Sequence, residues 1–270
     1  MIELPPIPRV EFPRPAIIRP AEAKLLRSQP DLGIAFAPGF RKPAGAAPAT
    51  LQFLQRSVWT SNSSATNTIA NVPIGTAAAD RYIFLGMEFT TGGTTYNLNL
   101  SSVTIGGIAA TIHGQMKKTA ANGTGIVSGI AIASALVPTG TTANIVSTFT
   151  GGGGVWRPRI GVYRVTGLQS PTPLQAPIVY NSGGSEGMPK TWTHNVKKNG
   201  ILIFEAHTFS SVLTRHVTEE DYNEQKPENL TSSVFLGGGV EIAADNTAYP
   251  ITITGSSTAA INEAMIAAFR

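Results

Sequence analysis

The stretch Asp80-Arg81-Tyr82-Ile83-Phe84-Leu85-Gly86-Met87-Glu88-Phe89 is apolar almost without interruption, and so is Gly200-Ile201-Leu202-Ile203-Phe204-Glu205-Ala206. Runs this short, rich in β-branched and aromatic residues, read as strands, and their near-continuous apolarity places them centrally in a sheet. At Ile251-Thr252-Ile253-Thr254 the pattern changes: apolar side chains fall on every second residue, the period of a strand with one buried face. Working outward, strand-like segments recur at 51–59, 66–72, 80–90, 102–106, 108–116, 125–137, 142–149, 158–166, 174–180, 199–209, 233–243, 248–254 and 260–269, separated by Gly, Asn, Pro and Ser clusters. Residues 144–149 and 159–165 flank Gly151-Gly152-Gly153-Gly154 and read as an antiparallel pair across a glycine loop. The helical signals are few: 21–27 can make about two turns after Pro20, and 259–269 has helix-forming composition but keeps the strand rhythm. Strand after strand with no helix between predicts an all-β body over 51–270, an antiparallel β-sandwich or jelly roll. No fixed-period repeat stands out, which argues against a solenoid or propeller.

Residues 1–50 follow different rules. Ten prolines punctuate them: Pro5, Pro6, Pro8, Pro13, Pro15, Pro20, Pro30, Pro38, Pro43 and Pro48. Proline fixes φ and removes a backbone donor, so neither a long helix nor a central strand is expected. The prediction is an extended, polyproline-like arm. Its cations Arg9, Arg14, Arg19 and Lys24 recur at steps of five, with Phe12, Ile17, Ile18 and Leu25 between them. A flexible tether would be Gly/Ser-rich and lack large apolar side chains. This arm is suited to lying along another protein surface, and those eight residues are its candidate anchoring contacts.

Charge is uneven. The chain carries a net +4. The first fifty residues hold Arg9, Arg14, Arg19, Lys24, Arg27, Arg41 and Lys42 against Glu3, Glu11, Glu22 and Asp31, which leaves the body nearly neutral. A nucleic-acid reader needs a dense basic face with stacking aromatics; none is visible, so no nucleic-acid partner is expected. With no cysteine, disulfides, Cys-based zinc sites and thiol catalysis are excluded. The opening Met1-Ile2-Glu3-Leu4-Pro5-Pro6 has no charged region followed by an apolar one, and no run is long enough to span a bilayer, so neither a secretory signal nor a membrane partner is expected.

Candidate chemistry is sparse. Gly183-Gly184-Ser185-Glu186-Gly187 spells the G-x-S-x-G string of serine hydrolases, but that mechanism needs a strand, a sharp turn and a helix, whereas Pro189 and the strand-like Trp192-Thr193 follow. Gly151–Gly154 lacks the Gly-Lys-Ser/Thr ending of a phosphate loop. Glu205 and His207 share one strand face, and His216, Glu219, Glu220 and Asp221 crowd the next loop. A carboxylate–imidazole group of this kind can move a proton or bind a metal. The charge run 218–228 has, however, the composition of a solvated loop, and 210–232 is expected as a long exposed tip. His216, Glu219, Glu220, Asp221 and Tyr222, together with Trp156 beside the glycine run, are candidates for surface recognition. No catalytic residue, metal set or cofactor is expected.

The arm segment Pro13-Arg14-Pro15-Ala16-Ile17-Ile18-Arg19-Pro20-Ala21-Glu22 is similar to the openings of many phage and prophage proteins. The cysteine-free, Gly/Thr/Ala-rich body, with lines such as Asn144-Ile145-Val146-Ser147-Thr148-Phe149 and Ile160-Gly161-Val162-Tyr163-Arg164-Val165-Thr166-Gly167, resembles the jelly-roll modules of tailed-bacteriophage decoration proteins, head spikes and tail fibres. The resemblance implies a non-enzymatic virion component. It would be anchored to capsid, portal, collar or tail proteins by its arm, and repeated as a homo-oligomer on a symmetric particle. It transfers no active-site residue. The alternatives are an adhesion module binding a host receptor or surface glycan, and, third, a polysaccharide hydrolase using the cluster at 205–221.

Overall fold

A strand that is apolar on both sides needs cover on both sides, whereas an alternating strand needs it on one. The chain resolves this by stacking sheets. The computed structural model describes residues 47–58, 64–92, 99–117, 126–151, 156–181, 189–208, 220–225, 234–253 and 263–270. The elements are β1 (Thr50–Val58), β2 (Thr66–Pro73), β3 (Tyr82–Gly92), β4 (Asn99–Ile105), β5 (Ile108–Ala109), β6 (Thr111–Lys117), β7 (Ile126–Leu136) and β8 (Thr142–Thr150), then β9 (Trp156–Thr166), β10 (Ile178–Asn181), β11 (Lys190–Val196), β12 (Ile201–Thr208), β13 (Glu220–Gln225), β14 (Val234–Glu241), β15 (Asn246–Ile253) and β16 (Glu263–Phe269).

Four antiparallel sheets result. A first cover sheet, β2-β8-β4-β5, lies on a first inner sheet, β1-β9-β3-β7-β6. A second inner sheet, β10-β16-β12-β14-β13, is covered by β11-β15. Successive side chains of β3 point to opposite faces. Ile83, Leu85, Met87 and Phe89 pack with Leu100, Val103 and Ile145 of the first cover sheet. Phe84 and Tyr82 point the other way and join Ile201, Ile203, Ala267 and Phe269 of the second inner sheet. On β12, Leu202 and Phe204 meet Trp192, Ile251 and Ile253 of the second cover sheet. The two continuous runs quoted above are thus the middle strands of the two inner sheets, and each side chain sealed between layers contributes about 1.5–3 kcal/mol.

The expected sandwich is realised twice. Strand for strand, β10-β16-β12-β14-β13 repeats the order β1-β9-β3-β7-β6, and β11-β15 repeats β2-β8; among the described residues, β4 and β5 have no counterpart. The details agree as well. The register shifts at corresponding places in the two cover sheets, with the extra residue on β2 between Ile69 and Val72 in one and on β15 between Asn246 and Tyr249 in the other. A bulge interrupts β6 between Ile112 and Gly114 and β13 between Glu220 and Tyr222. The amide of Val137 donates to the carbonyl of Arg81 at 2.9 Å, and that of Ile242 to the carbonyl of Gly200 at 2.9 Å. The hydroxyls of Thr66 and Thr148 lie 3.4 Å apart, and those of Thr191 and Thr252 2.8 Å. The sequence concealed this repeat because equivalent positions share few residue types. Their spacing along the chain also changes once β4 and β5 are left out.

Three other expectations are corrected. The pair 144–149 and 159–165 is not a hairpin: β8 belongs to a cover sheet and β9 to an inner one, so the chain crosses between layers. The burial patterns say why. β8 alternates and needs one covered face, while Arg159–Val165 is buried or half-buried at every residue. The stretch 210–232 is not simply a loop, because Glu220, Asp221 and Tyr222 begin β13, the edge of the second inner sheet. Charge is at home on an edge strand, which is why its composition resembled a solvated tip. β11 was expected only as the strand-like pair Trp192-Thr193; it runs from Lys190 to Val196, with His194 buried between Trp192 and Val196. The 260–269 reading as strand holds in β16. The arm 1–46, with its possible helix at 21–27, lies outside the described residues.

Candidate functional site

The layer between the two inner sheets can be followed rank by rank along four central strands. On the first sheet the cross-strand pairs are Tyr82 with Val165, Phe84 with Tyr163, Gly86 with Gly161 and Glu88 with Arg159. On the second they are Ile201 with Phe269, Ile203 with Ala267, Glu205 with Met265 and His207 with Glu263. Two ranks are apolar, and the last is ionic on both sheets. Glu88, Arg159, Glu205, His207 and Glu263 are all at most 5 % exposed.

Together they make the polar end of this layer. Arg56 of β1 reaches across Gly161, its cross-strand partner, to bring Nη2 within 3.8 Å of Glu88 Oε2. Glu263 accepts a hydrogen bond from the Ser128 hydroxyl at 2.6 Å on one oxygen and places the other 3.3 Å from His207 Nδ1. Glu205 lies directly over Gly86: a Cβ built there would stand 1.5 Å from its Oε1. Three carboxylates, two guanidinium groups and one imidazole therefore share a solvent-excluded layer. Isolated buried ions cost several kcal/mol each, so such groups persist only as mutually compensating sets. This polar end lies where β3 and β12 approach their C-terminal ends and β7, β9, β14 and β16 begin, since Gly92 pairs with Ile126, Thr91 with Trp156, and Thr208 with Val234.

The opposite end of the layer is aromatic. Phe84 packs edge-on to Phe269 at 4.8 Å between centroids, and His113 stacks on Phe84 at 5.9 Å. His113 Nε2 is 2.8 Å from the Ser134 hydroxyl, and burial lowers its pKa to about 4. In the second cover sheet His194 is fully buried and its pKa is also lowered by burial, an effect partly opposed by its hydrogen bond to the Asn195 carbonyl at 2.9 Å. Both rings are accordingly neutral in the fold.

Arg81 is the other buried cation, at the far end of the first sandwich. Its guanidinium donates to four carbonyls: Val137 at 2.7 Å, Ile74 at 3.3 Å, Gly75 at 2.7 Å and Thr139 at 2.6 Å. Burial and the neighbouring Arg164 lower its pKa. Its role is to clasp the turns that follow β2 and β7.

Against the sequence reading, Glu205 and His207 do share a face, but that face is the interior of the stack. Trp192 is 8 % exposed and packs edge-on to Tyr180 at 5.2 Å, with Lys190 Nζ 5.0 Å from the Tyr180 ring centre; it is a core residue. Trp156 begins β9 opposite Thr91, and its side chain, like those of Glu220, Asp221 and Tyr222, lies outside the described structure. So do His216, Glu219, the Gly183–Gly187 string and the arm residues Arg9, Phe12, Arg14, Ile17, Ile18, Arg19, Lys24 and Leu25. The string joins strands β10 and β11, so the strand-to-helix setting of a nucleophile is not provided. The sequence reading did not anticipate that Glu263 meets His207 and Ser128, or that Arg56 meets Glu88, in the same layer as Glu205. Lone ions inside apolar strands, such as Arg159 before Ile160 and Glu263 before Ala264, were the available signal.

Among the described residues, no His, Asp and Glu group is arranged to hold a metal ion, and no helix is long and apolar enough to cross a membrane. No family model matches this chain, and no curated protein or solved structure is significantly similar to it.

Proposed function

We propose that this chain is a non-enzymatic structural component of a tailed-bacteriophage particle. Residues 1–45 would tie it to a capsid, portal, collar or tail protein, and the four-layer body would be displayed outward as a decoration, spike, collar or fibre element. One observation carries the non-enzymatic part of this reading: Glu205 and His207, the groups on which a hydrolase would rely, are 2 % and 1 % exposed and face the neighbouring inner sheet. A polysaccharide cannot reach them without separating the two sandwiches. The arm supports the anchoring part. Its prolines limit the entropy lost when it settles on a partner, Arg9, Arg14 and Arg19 suit paired bonds to carboxylates, and Phe12, Ile17, Ile18 and Leu25 suit shallow grooves. Many copies on a symmetric particle add avidity to each weak arm contact.

The test is incorporation. Phage particles assembled with the full chain or with a chain lacking residues 2–45 are purified and assayed for the protein by mass spectrometry. The expected result is loss from particles while circular dichroism of the shortened protein retains its β signature. Undiminished incorporation would discard the anchoring role. A glycan array addresses the adhesion alternative, with Trp156→Ala as its control. Polysaccharide cleavage that disappears in Glu205→Gln would restore the hydrolase reading.

A further inference from the structure

We infer that the inner faces of the two repeats form a selective pair, built so that the first repeat accepts the second within one chain and rejects a copy of itself from another. Two sandwiches of the same strand order, packed through the same sheet, pose a recognition problem, because each inner face has the geometry to pair with its own kind. Residues at equivalent ranks decide the outcome.

The third and fourth ranks of the layer differ between the two repeats. Gly86 of β3 and Glu205 of β12 are equivalent positions, counted from the matching carbonyls of Arg81 and Gly200, and they touch each other across the layer. One is the smallest residue and the other a long carboxylate that fills the space over it. Two second repeats would bring Glu205 against Glu205, two carboxylates in a slot sized for one. Two first repeats would leave Gly86 against Gly86 and a void where the side chain belongs. Both outcomes are unfavourable, by desolvated like charge in one case and by an unfilled cavity in the other. The next rank repeats the logic in charge. Glu88 and Arg159 put the acid on the middle strand and the base on its neighbour, whereas His207 and Glu263 reverse them. Pairing two first repeats would set Glu88 against Glu88 on the middle strands, and selection by repulsion against the wrong partner is how paired interfaces gain specificity. The connecting segment favours closure within the chain: Pro171, Pro173 and Pro177 stiffen it, and the Leu174 amide is bonded to the Ala268 carbonyl at 2.9 Å.

The experiment exchanges the third rank in the full-length protein. Gly86→Glu puts a carboxylate on both faces, Glu205→Gly removes it from both, and the double variant Gly86→Glu/Glu205→Gly moves it from one sheet to the other. Urea unfolding gives the midpoint of each. In addition, two differently tagged versions of one variant are refolded together and captured through one tag. Gly86→Glu is expected to lower the midpoint most, and the exchange variant to recover at least half of that loss. Glu205→Gly is expected to raise cross-capture of the second tag several-fold above wild type. An exchange variant no more stable than Gly86→Glu would overturn the inference, as would cross-capture of Glu205→Gly at the wild-type level. A merely structural Gly86 would give the first of these results, since its tolerance for a side chain would not depend on residue 205.

Discussion

The two repeats hold the same strand order with different means, and the contrast separates what the topology requires from what each copy happens to use. Among the described residues, the first repeat roofs its inner sheet with four strands and the second with two. At the entrance to its central strand the first repeat places Arg81, whose guanidinium ties four carbonyls together. At the equivalent position the second has Gly200, where a Cβ would stand 2.2 Å from the Phe269 carbonyl oxygen. A long cation in one copy thus corresponds to a close backbone approach in the other. What the copies share is the bulge in β6 and β13, the closing backbone hydrogen bonds and a threonine pair. The lesson is that register and pleat define this unit, and its turns and covers are local solutions.

Four measurements would break or sharpen that contrast. The largest effect is expected at Arg81. Arg81→Met keeps the stem but leaves buried carbonyls without donors, and a loss of about 4 kcal/mol is expected in urea unfolding. An unchanged midpoint would mean that the clasp is dispensable. Next comes Gly200→Ala, where overpacking against backbone is expected to cost about 2 kcal/mol; tolerance would show that the second repeat can relax as the first cannot.

The third concerns acid. His113 serves the first inner sheet and His194 the second cover sheet, and burial depresses both pKa values. A neutral ring in the fold means that the stabilisation is complete above the unfolded value near 6.5 and is lost as pH falls from there toward about 4. Stability measured between pH 7 and pH 4 should decline, and His113→Phe, with its aromatic neighbours retained, should flatten part of the slope. An identical slope would assign the acid sensitivity elsewhere. The smallest effect is expected at the threonine ladder: Thr191→Ala should cost about 0.5 kcal/mol, and Thr66→Ala about the same. Equal losses would confirm that the two pairs do the same job.

The second repeat also has to manage the edge that β4 occupies in the first. In β8 the Asn144 and Thr148 carbonyls are used by the Gly106 amide and the Ser101 hydroxyl on the β4 side, so alternate residues of β15, Ala248, Pro250 and Thr252, line the corresponding edge. Pro250 has no amide hydrogen, and the Ala248 amide is already bonded to Asn246 Oδ1 at 2.8 Å. Two of these three residues therefore have no amide left to offer an adding strand, a familiar defence against pairing between molecules.

Much of the fold was legible in the residues. The continuous runs at 82–89 and 201–206 announced strands covered on both faces, and Ile251 and Ile253 announced one covered on a single face, because hydrophobic periodicity is a local property set by the pleat. The site was legible only in fragments. Glu205 and His207 were read as sharing a face, but a period-two pattern does not say whether that face meets water or another sheet.

The sequence by itself determined that the body is all-β and that β3 and β12 are central. Those features depend on neighbours along the chain. The body it expected from residue 51 in fact includes buried Ala49 and begins its first strand at Thr50. Only the tertiary structure decided that there are two sandwiches, that β8 and β9 lie in different layers, and that Arg56 meets Glu88 and His207 meets Glu263 in one buried layer. Each of those depends on which distant strands become neighbours, and that is settled by packing whole sheets against one another.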